Sequence, residues 1–261
     1  MRNLVELAID AARLAGAQIL AHYQKTLDVT YKQDGSPLTN ADQAAHSVIV
    51  DHLANSGIIT VSEEGCDLHL DAERYWLVDP LDGTKDFLAG NGEFTVNIAL
   101  IEDHRPVLGV VYAPAIDILY WGSAQLGGYI VDSDGERLFS TVSRSSEIHI
   151  AVSRFHDHPD VDIFAEDNKI KQRVAIGSAL KYGLLASGDI DVFPRLVGSS
   201  EWDTAAGQAI LETTGGVVLE WHTGLPLQYG KANRRNPRLL SLRHPYQYND
   251  FKLKKYGPEL L

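Results

Sequence analysis

The sequence predicts an α/β (α+β) chain of layered sheets and helices. Three observations carry that expectation. Segments of helical and strand periodicity alternate along the chain. A run of short alternating strands in the middle reads as an antiparallel meander. Two apolar strands end abruptly in acidic residues. The chain turns polar around Ser140 to Ser146, which divides it into expected halves 1–143 and 144–261.

Leu4 to Tyr23 carries apolar residues at Leu4, Leu7, Ala8, Ala11, Leu14, Ala15 and Ile19, the spacing of one helical face. Asp34-Gly35-Ser36-Pro37 is a turn signal. Thr39 and Asn40 are good N-caps for a second helix over about Ala41 to Ala54, with Asp42 in its first turn. Ile58 to Ser62 is a short strand running into Glu63-Glu64-Gly65. Tyr75 to Val78 is apolar without alternation, as in a central strand buried on both faces. It ends in Asp79-Pro80-Leu81-Asp82-Gly83-Thr84, where Pro80 lacks an N–H and predicts that the ladder stops. A short helical turn follows Thr84. The meander strands are Glu93 to Glu102, Val107 to Ala113, Ile118 to Gly122 and Gly128 to Val131.

In the second half, strands are expected at Ile148 to Ser153, Val174 to Ile176, Asp191 to Arg195, Val217 to Glu220 and Arg238 to Leu242. Helices are expected over Pro159 to Asn168, from the Gly177-Ser178-Ala179-Leu180-Lys181 turn to Ser187, and from Trp202-Asp203 to Thr213. The tail from Asp250 is largely polar and is expected to fray.

Composition narrows the function. The 261 residues carry a formal charge of −12. That argues against a nucleic-acid polymer as partner, since backbone binding needs a basic face. A small anionic substrate fits only if metal ions or a local basic pocket offset the repulsion. The single cysteine, Cys66, excludes an intrachain disulfide and reads as a thiol near solvent on a loop. No stretch approaches the roughly 20 apolar residues of a membrane span. The start lacks the apolar core of a signal peptide.

Several chemistries find no residues here. There is no P-loop, no Gly-x-Ser-x-Gly elbow and no His-Glu-x-x-His. His156 and His158 flank Asp157 in what reads as a polar loop. What remains is acids: Asp42, Glu63, Asp79, Asp82 and Asp203. Each has a plain alternative: Asp42 complements a helix dipole, Asp203 is an N-cap, and the rest sit in turns. Against those alternatives stands position. Glu63, Asp79 and Asp82 all close buried strands, and strand ends on one rim are where α/β proteins bind ligands. Hard carboxylate oxygens suit Mg²⁺ or Mn²⁺. Amides after Gly83 suit a phosphate.

Trp76-Leu77-Val78-Asp79-Pro80-Leu81-Asp82-Gly83-Thr84 resembles the signature of the inositol monophosphatase superfamily, Mg²⁺-dependent, lithium-sensitive phosphatases. Trp202-Asp203-Thr204-Ala205-Ala206-Gly207 is similar to its second signature. Ser62-Glu63-Glu64 and Thr39-Asn40-Ala41-Asp42 match the segments that precede the first, in order and spacing. Lys85 and the run Asn91 to Leu100 look most like the CysQ-type 3′(2′),5′-bisphosphate nucleotidases of that superfamily. Gly177-Ser178-Ala179-Leu180-Lys181 resembles their Gly-Ser-Ser-Leu-Lys element, with Ala179 in place of the second serine.

The resemblance implies a layered αβαβα sandwich of the sugar-phosphatase type and metal-assisted hydrolysis of a phosphate monoester. Glu63, Asp79, Asp82, Asp203 and the Leu81 carbonyl would hold two or three Mg²⁺, with Mn²⁺ as a substitute. Most of these lie in the first half, and Asp203 and the substrate contacts in the second. Glu63 and Thr84 would orient and deprotonate the attacking water, with Asp42 near the metals. Gly83 and Thr84 would hold the phosphate; Lys85, Ser178, Lys181 and Arg195 are the candidates for the rest of the substrate. A bisphosphorylated nucleotide is the leading substrate. An inositol or sugar-alcohol phosphate is the alternative, and a catalytically silent metal- or nucleotide-binding homologue is the reading outside enzymes. The family further suggests a homodimer in the cytoplasm, with peripheral association at the inner face of the cell membrane left open.

Overall fold

In the computed structural model, residues 1–24, 29–31, 37–65, 72–140, 143–155 and 158–254 are described. The Asp34–Ser36 turn, Cys66, His156, Asp157 and the end of the tail lie outside them. Helix α1 (Arg2–His22) buries Val5, Ala8, Ala11, Ala12, Ala15, Gly16 and Ile19. Leu14 faces outward instead of joining that stripe, because the small residues are what let α1 lie close to its neighbours. A methyl at Gly16 would stand 2.5 Å from the Tyr112 ring. The pair β1 (Val29–Tyr31) and β2 (Pro37–Thr39) leads into α2 (Asn40–Leu53).

Seven strands form the larger sheet: β3 (Thr60–Ser62), β4 (Arg74–Asp82), β5 (Thr95–Glu102), β6 (Arg105–Ala113), β7 (Ile118–Ser123), β8 (Gly127–Asp132) and β9 (Gly135–Leu138). Short α3 (Thr84–Ala89) sits between β4 and β5. Strands β3 and β4 are parallel, and the rest is the expected antiparallel meander, extended by β9. Strand β9 is exposed at every residue, so it has no apolar signature to betray it.

The second sheet runs β11-β10-β12-β16-β14. Its members are β10 (His149–Ser153), β11 (Gln172–Ile176), β12 (Val192–Arg195), β14 (Val217–Glu220) and β16 (Leu239–Leu242). Helices α4 (Pro159–Asp167), α5 (Leu180–Ser187) and α6 (Ala205–Glu212) complete it, with a two-residue pair β13 (Ser199–Ser200) and β15 (Arg235–Asn236).

Five layers follow from how side chains alternate along the strands. Trp76 and Val78 of β4 point to the core shared with α1 and α2. Tyr75 and Leu77 point the other way, into the core shared with α5, α6 and the second sheet. Ile150, Val192, Leu240 and Leu242 on the far face of that sheet meet Val161, Phe164 and Ala165 of α4. The order is helices, large sheet, helices, small sheet, helix. The central core contains residues of both expected halves. The described part of the tail docks: Phe251 is buried, and Trp221 Nε1 donates to the Lys254 carbonyl at 2.9 Å.

One irregularity matters for the site. The ladder does not stop at Pro80. Asp79 pairs with Asn97, and pairing resumes with Asp82 opposite Thr95. Three steps on β4 thus match two on β5, a one-residue bulge that absorbs the missing N–H of Pro80. Residues three apart in a regular strand face opposite ways. With the bulge, Asp79 and Asp82 both stand beside the Thr95–Asn97 face, and both look into the layer between the sheets.

Helix α6 lies on that face at glycine contacts. A methyl on Gly109 would meet the Ala206 carbonyl oxygen at 2.1 Å, and one on Gly122 the Ile210 Cα at 2.8 Å. Gly109→Ala therefore forces α6 off the sheet. The expected cost is about 1–3 kcal/mol, visible as a lowered thermal-unfolding midpoint; an unchanged midpoint would contradict this packing.

Candidate active site

The site is an open cleft of about 380 Å³ at the ends of β4, β10 and β12. Glu63, Asp79, Leu81, Asp82, Gly83, Thr84, Lys85, Ser178, Arg195 and Asp203 all line it. The chain delivers them from separate segments. Ser62 pairs with Val78 at the last step of the parallel β3–β4 ladder, so the next residues, Glu63 and Asp79, follow side by side where that pairing ends. Asp203 comes from a one-turn helix between β13 and α6, where it completes a capping box; the Ser200 amide donates to its Oδ2 at 2.8 Å.

The strand end is internally braced. The Leu81 amide donates to Asp79 Oδ1 at 3.1 Å, and Thr84 Oγ1 to the Leu81 carbonyl at 3.3 Å. Gly83 caps α3 at φ 85°, and a methyl there would stand 3.2 Å from Ser178 Cβ and 3.3 Å from the Glu93 carbonyl. This position needs glycine for conformation and for clearance alike.

Asp42 and Lys181 stand apart from the other candidates, and neither lines the cleft. Asp42 is buried at the start of α2, where its Oδ2 accepts from Thr39 N at 2.8 Å and Thr39 Oγ1 at 2.6 Å. Its pattern in the sequence is a capping box, which draws the carboxylate back onto its own helix. Lys181 is buried under the turn that carries Ser178, and its Nζ donates to the Ser178 carbonyl at 2.9 Å. Burial, reinforced by Arg195, pushes its ammonium down to about 7.

Electrostatics define the acidic part of the cleft. Burial raises the Asp82 carboxyl above the usual carboxylate range, and the Glu63 charge adds to that against Lys181, Asn97 and Arg195, which lower it. Asp203 is raised too, first by burial and then by Asp82 and Glu63. These acids thus repel one another at close quarters. Among the described residues, no three acidic, histidine or cysteine side chains close around one point as a ready-made cage. The donors are nonetheless all hard oxygens, four carboxylates and a strand-end carbonyl. Groups that repel one another when bare are held together by an intervening cation. The residues fit divalent metal.

Two cleft atoms suit a ligand of opposite character. Ser178 Oγ and Arg195 Nε are buried with no protein partner. Ser178 is held at φ 45°, an uncommon conformation for a residue other than glycine. The Arg195 guanidinium otherwise donates to Ser153 Oγ at 3.2 Å and to the Gly198 carbonyl at 3.3 Å.

Sequence reasoning missed Arg154, Arg235 and the apolar walls Phe155, Tyr182, Phe193 and Trp202. Arg154 directly follows β10, so the strand-end rule that found Glu63 could have found it. It forks onto Glu93, with Nη2 2.7 Å from Oε1 and Nε 3.0 Å from Oε2, while the Gly177 amide donates to Glu93 Oε2 at 2.8 Å. Arg235 is set by the small β13–β15 ladder opposite Ser200, which leaves no mark in the sequence. Among the described residues, no helix is long and apolar enough to cross a membrane.

A model of the inositol monophosphatase family matches residues 1–246. The chain is 41% identical over 233 residues to a Shigella flexneri protein named 3′(2′),5′-bisphosphate nucleotidase CysQ; the match covers 87% of this chain and 94% of that protein. It is 38% identical over 240 residues to the Buchnera aphidicola protein of the same name, covering 89% and 90%. The solved structure of CysQ from Bacteroides thetaiotaomicron, described as a bacterial member of the inositol monophosphatase family, matches with TM-score 0.84 at 33% identity, over 94% of this chain and 98% of that one. With the family match spanning all but the last residues, and relatives aligned over most of both chains, the chain belongs to the inositol monophosphatase family.

Proposed function

We propose that the chain is a phosphoric monoester hydrolase acting on a 3′(2′),5′-bisphosphate nucleotide, converting adenosine 3′,5′-bisphosphate to AMP and phosphate. The observation that carries this reading is the composition of the cleft. Four metal-suited acids share it with Lys85, Arg195 and Arg235, in a protein of net charge −12. Acids for metal explain a phosphate ester; the added cations and aromatic walls suit a second phosphate and a base. Relatives at about 40% identity that bear the nucleotidase name support it.

Glu63, Asp79, Asp82, Asp203 and the Leu81 carbonyl would hold the ions, Mg²⁺ with Mn²⁺ as substitute, two or three per site. Bound there, divalent ions supply a water of lowered pKa and neutralise charge on the phosphoryl oxygens. The chain's own groups do the rest. The Thr84 hydroxyl spends its proton on the Leu81 carbonyl, so its lone pairs are left to accept from the attacking water. Glu63, which lines the same cleft, would take the proton. The amides at Gly83 and Thr84, at the start of α3, have no acceptor within that helix and would hold the phosphate. Ser178 Oγ and Arg195 Nε, orphaned in the cleft, would meet the remainder of the substrate, with Lys85 and Arg235 at the exposed side. Asp42 and Lys181 act on their own elements: the first caps α2, the second holds the Ser178 carbonyl. Both halves, 1–143 and 144–261, thus contribute.

Phosphate release from adenosine 3′,5′-bisphosphate, inositol 1-phosphate and fructose 1,6-bisphosphate, measured side by side with Mg²⁺, should give the highest kcat/KM with the nucleotide. Faster turnover of inositol 1-phosphate would make the chain a sugar-alcohol phosphatase, and no turnover of any ester would leave a binding protein. Asp82→Asn keeps shape but removes charge. It should lower kcat on the order of 10²-fold or more, the scale of a lost transition-state charge contact, with the unfolding midpoint retained. Wild-type turnover by this variant would remove Asp82 from the mechanism.

A further inference from the structure

Asp82 does not stand alone at the end of β4. Asn97, buried to 1% exposure on β5, donates from Nδ2 to Asp82 Oδ2 at 3.2 Å. Its other amide atom is occupied as well: Thr95 Oγ1 donates to Asn97 Oδ1 at 2.9 Å. Thr95 is fully buried. The bulge in β4 creates this line, because it brings Asp79 opposite Asn97 and Asp82 opposite Thr95 on one face.

The chemistry of the three groups fixes their directions. An ionised carboxylate only accepts, so the asparagine must present its NH₂ to Asp82. The Asn97 carbonyl oxygen then faces Thr95, whose hydroxyl is the donor it needs. Turning the amide over would set two oxygens against each other in a buried site, a costly unsatisfied contact. The line therefore runs one way, from Thr95 through Asn97 to Asp82. It places a fixed donor on one carboxylate oxygen, Oδ2. Asn97 is also among the groups that keep Asp82 toward its charged form against burial and the Glu63 charge.

We infer that Asn97, oriented by Thr95, is a positioning residue that sets the metal affinity of the cleft by fixing the Asp82 carboxylate. In this role it acts through Asp82. The inference rests on the metal reading above, and it concerns affinity for the ion, not the identity of the substrate. Partners that orient a ligating carboxylate are commonly worth 10–100-fold in metal affinity.

The test is direct binding of Mn²⁺ to the full-length chain, read from the loss of the free-ion signal in electron paramagnetic resonance. Asn97→Leu should weaken binding by roughly 10-fold or more, with the metal-free unfolding midpoint showing that the variant is folded. Thr95→Val keeps the shape and removes only the far donor. It should weaken binding in the same direction by roughly 2- to 10-fold, the worth of one ordinary hydrogen bond, and Thr95→Ser should restore it. If Asn97→Leu does not fold, the Thr95 pair decides alone. Wild-type affinity in a folded Asn97→Leu, or in Thr95→Val, would overturn the inference while leaving the metal reading intact. A wild-type chain that takes up no Mn²⁺ would overturn the metal reading and the inference with it.

Discussion

Everything at the cleft depends on keeping like charges close in a place with little water. Burying one carboxylate is unfavourable, and burying several beside each other is worse. The fold meets that cost with geometry. Three of the four acids are held by a backbone or side-chain donor on one side. Asp79 has the Leu81 amide, Asp82 has Asn97, and Asp203 has the Ser200 amide. A set of hard oxygens on one rim suits cations, and cations would offset the charge of −12 toward a phosphorylated substrate.

The parts of this arrangement that were legible in the sequence are those set by local pattern. An apolar run buried on both faces, ending in acids, marked β4 and its Asp79 and Asp82. The same pattern at β3 marked Glu63. The meander was legible from alternation and turn residues. What escaped was set by register or by distant contact. Pro80 predicted a stop, but a bulge let the ladder resume beyond it, and only pairing with β5 reveals that. Asp42 is an acid like the others, yet its Oδ2 accepts from Thr39 at the start of α2 and it does not line the cleft. Lys181 reads as a substrate cation in sequence and proves to be buried beneath the turn it supports. Arg235 reaches the cleft through a ladder two residues long, too short to leave a period.

Polar contacts tie the large sheet to the second half at both ends of β5, not only at the cleft. Glu93, ahead of β5, holds both Arg154 and the Gly177 amide of the second sheet. At the far end of β5, His104 Nδ1 lies 2.8 Å from the Tyr229 carbonyl, and Arg105 pairs with Glu212 of α6 at 2.7 Å. Near Asp203, buried Glu201 accepts from the amides of Gly230 and Lys231 and pairs with Arg234 and Lys231, which braces the loop leading to Arg235. The exposed ion pairs among these contribute little each. The buried Glu201 carboxylate is different, because removing its partners would strand a charge.

The distance in sequence between Asp82 and Asp203 has a consequence for synthesis. A ribosome releases Glu63, Asp79 and Asp82 early, and at roughly 5–20 residues per second several seconds pass before Asp203 and the Arg235 loop emerge. The cleft lining includes Ser153, Ser178, Arg195, Asp203 and Arg235, all of which are made after Asp82. The core behind the acids likewise draws on both early and late segments. The cleft therefore takes shape only once nearly the whole chain has left the ribosome, although three of its four acids are among the earlier residues to emerge.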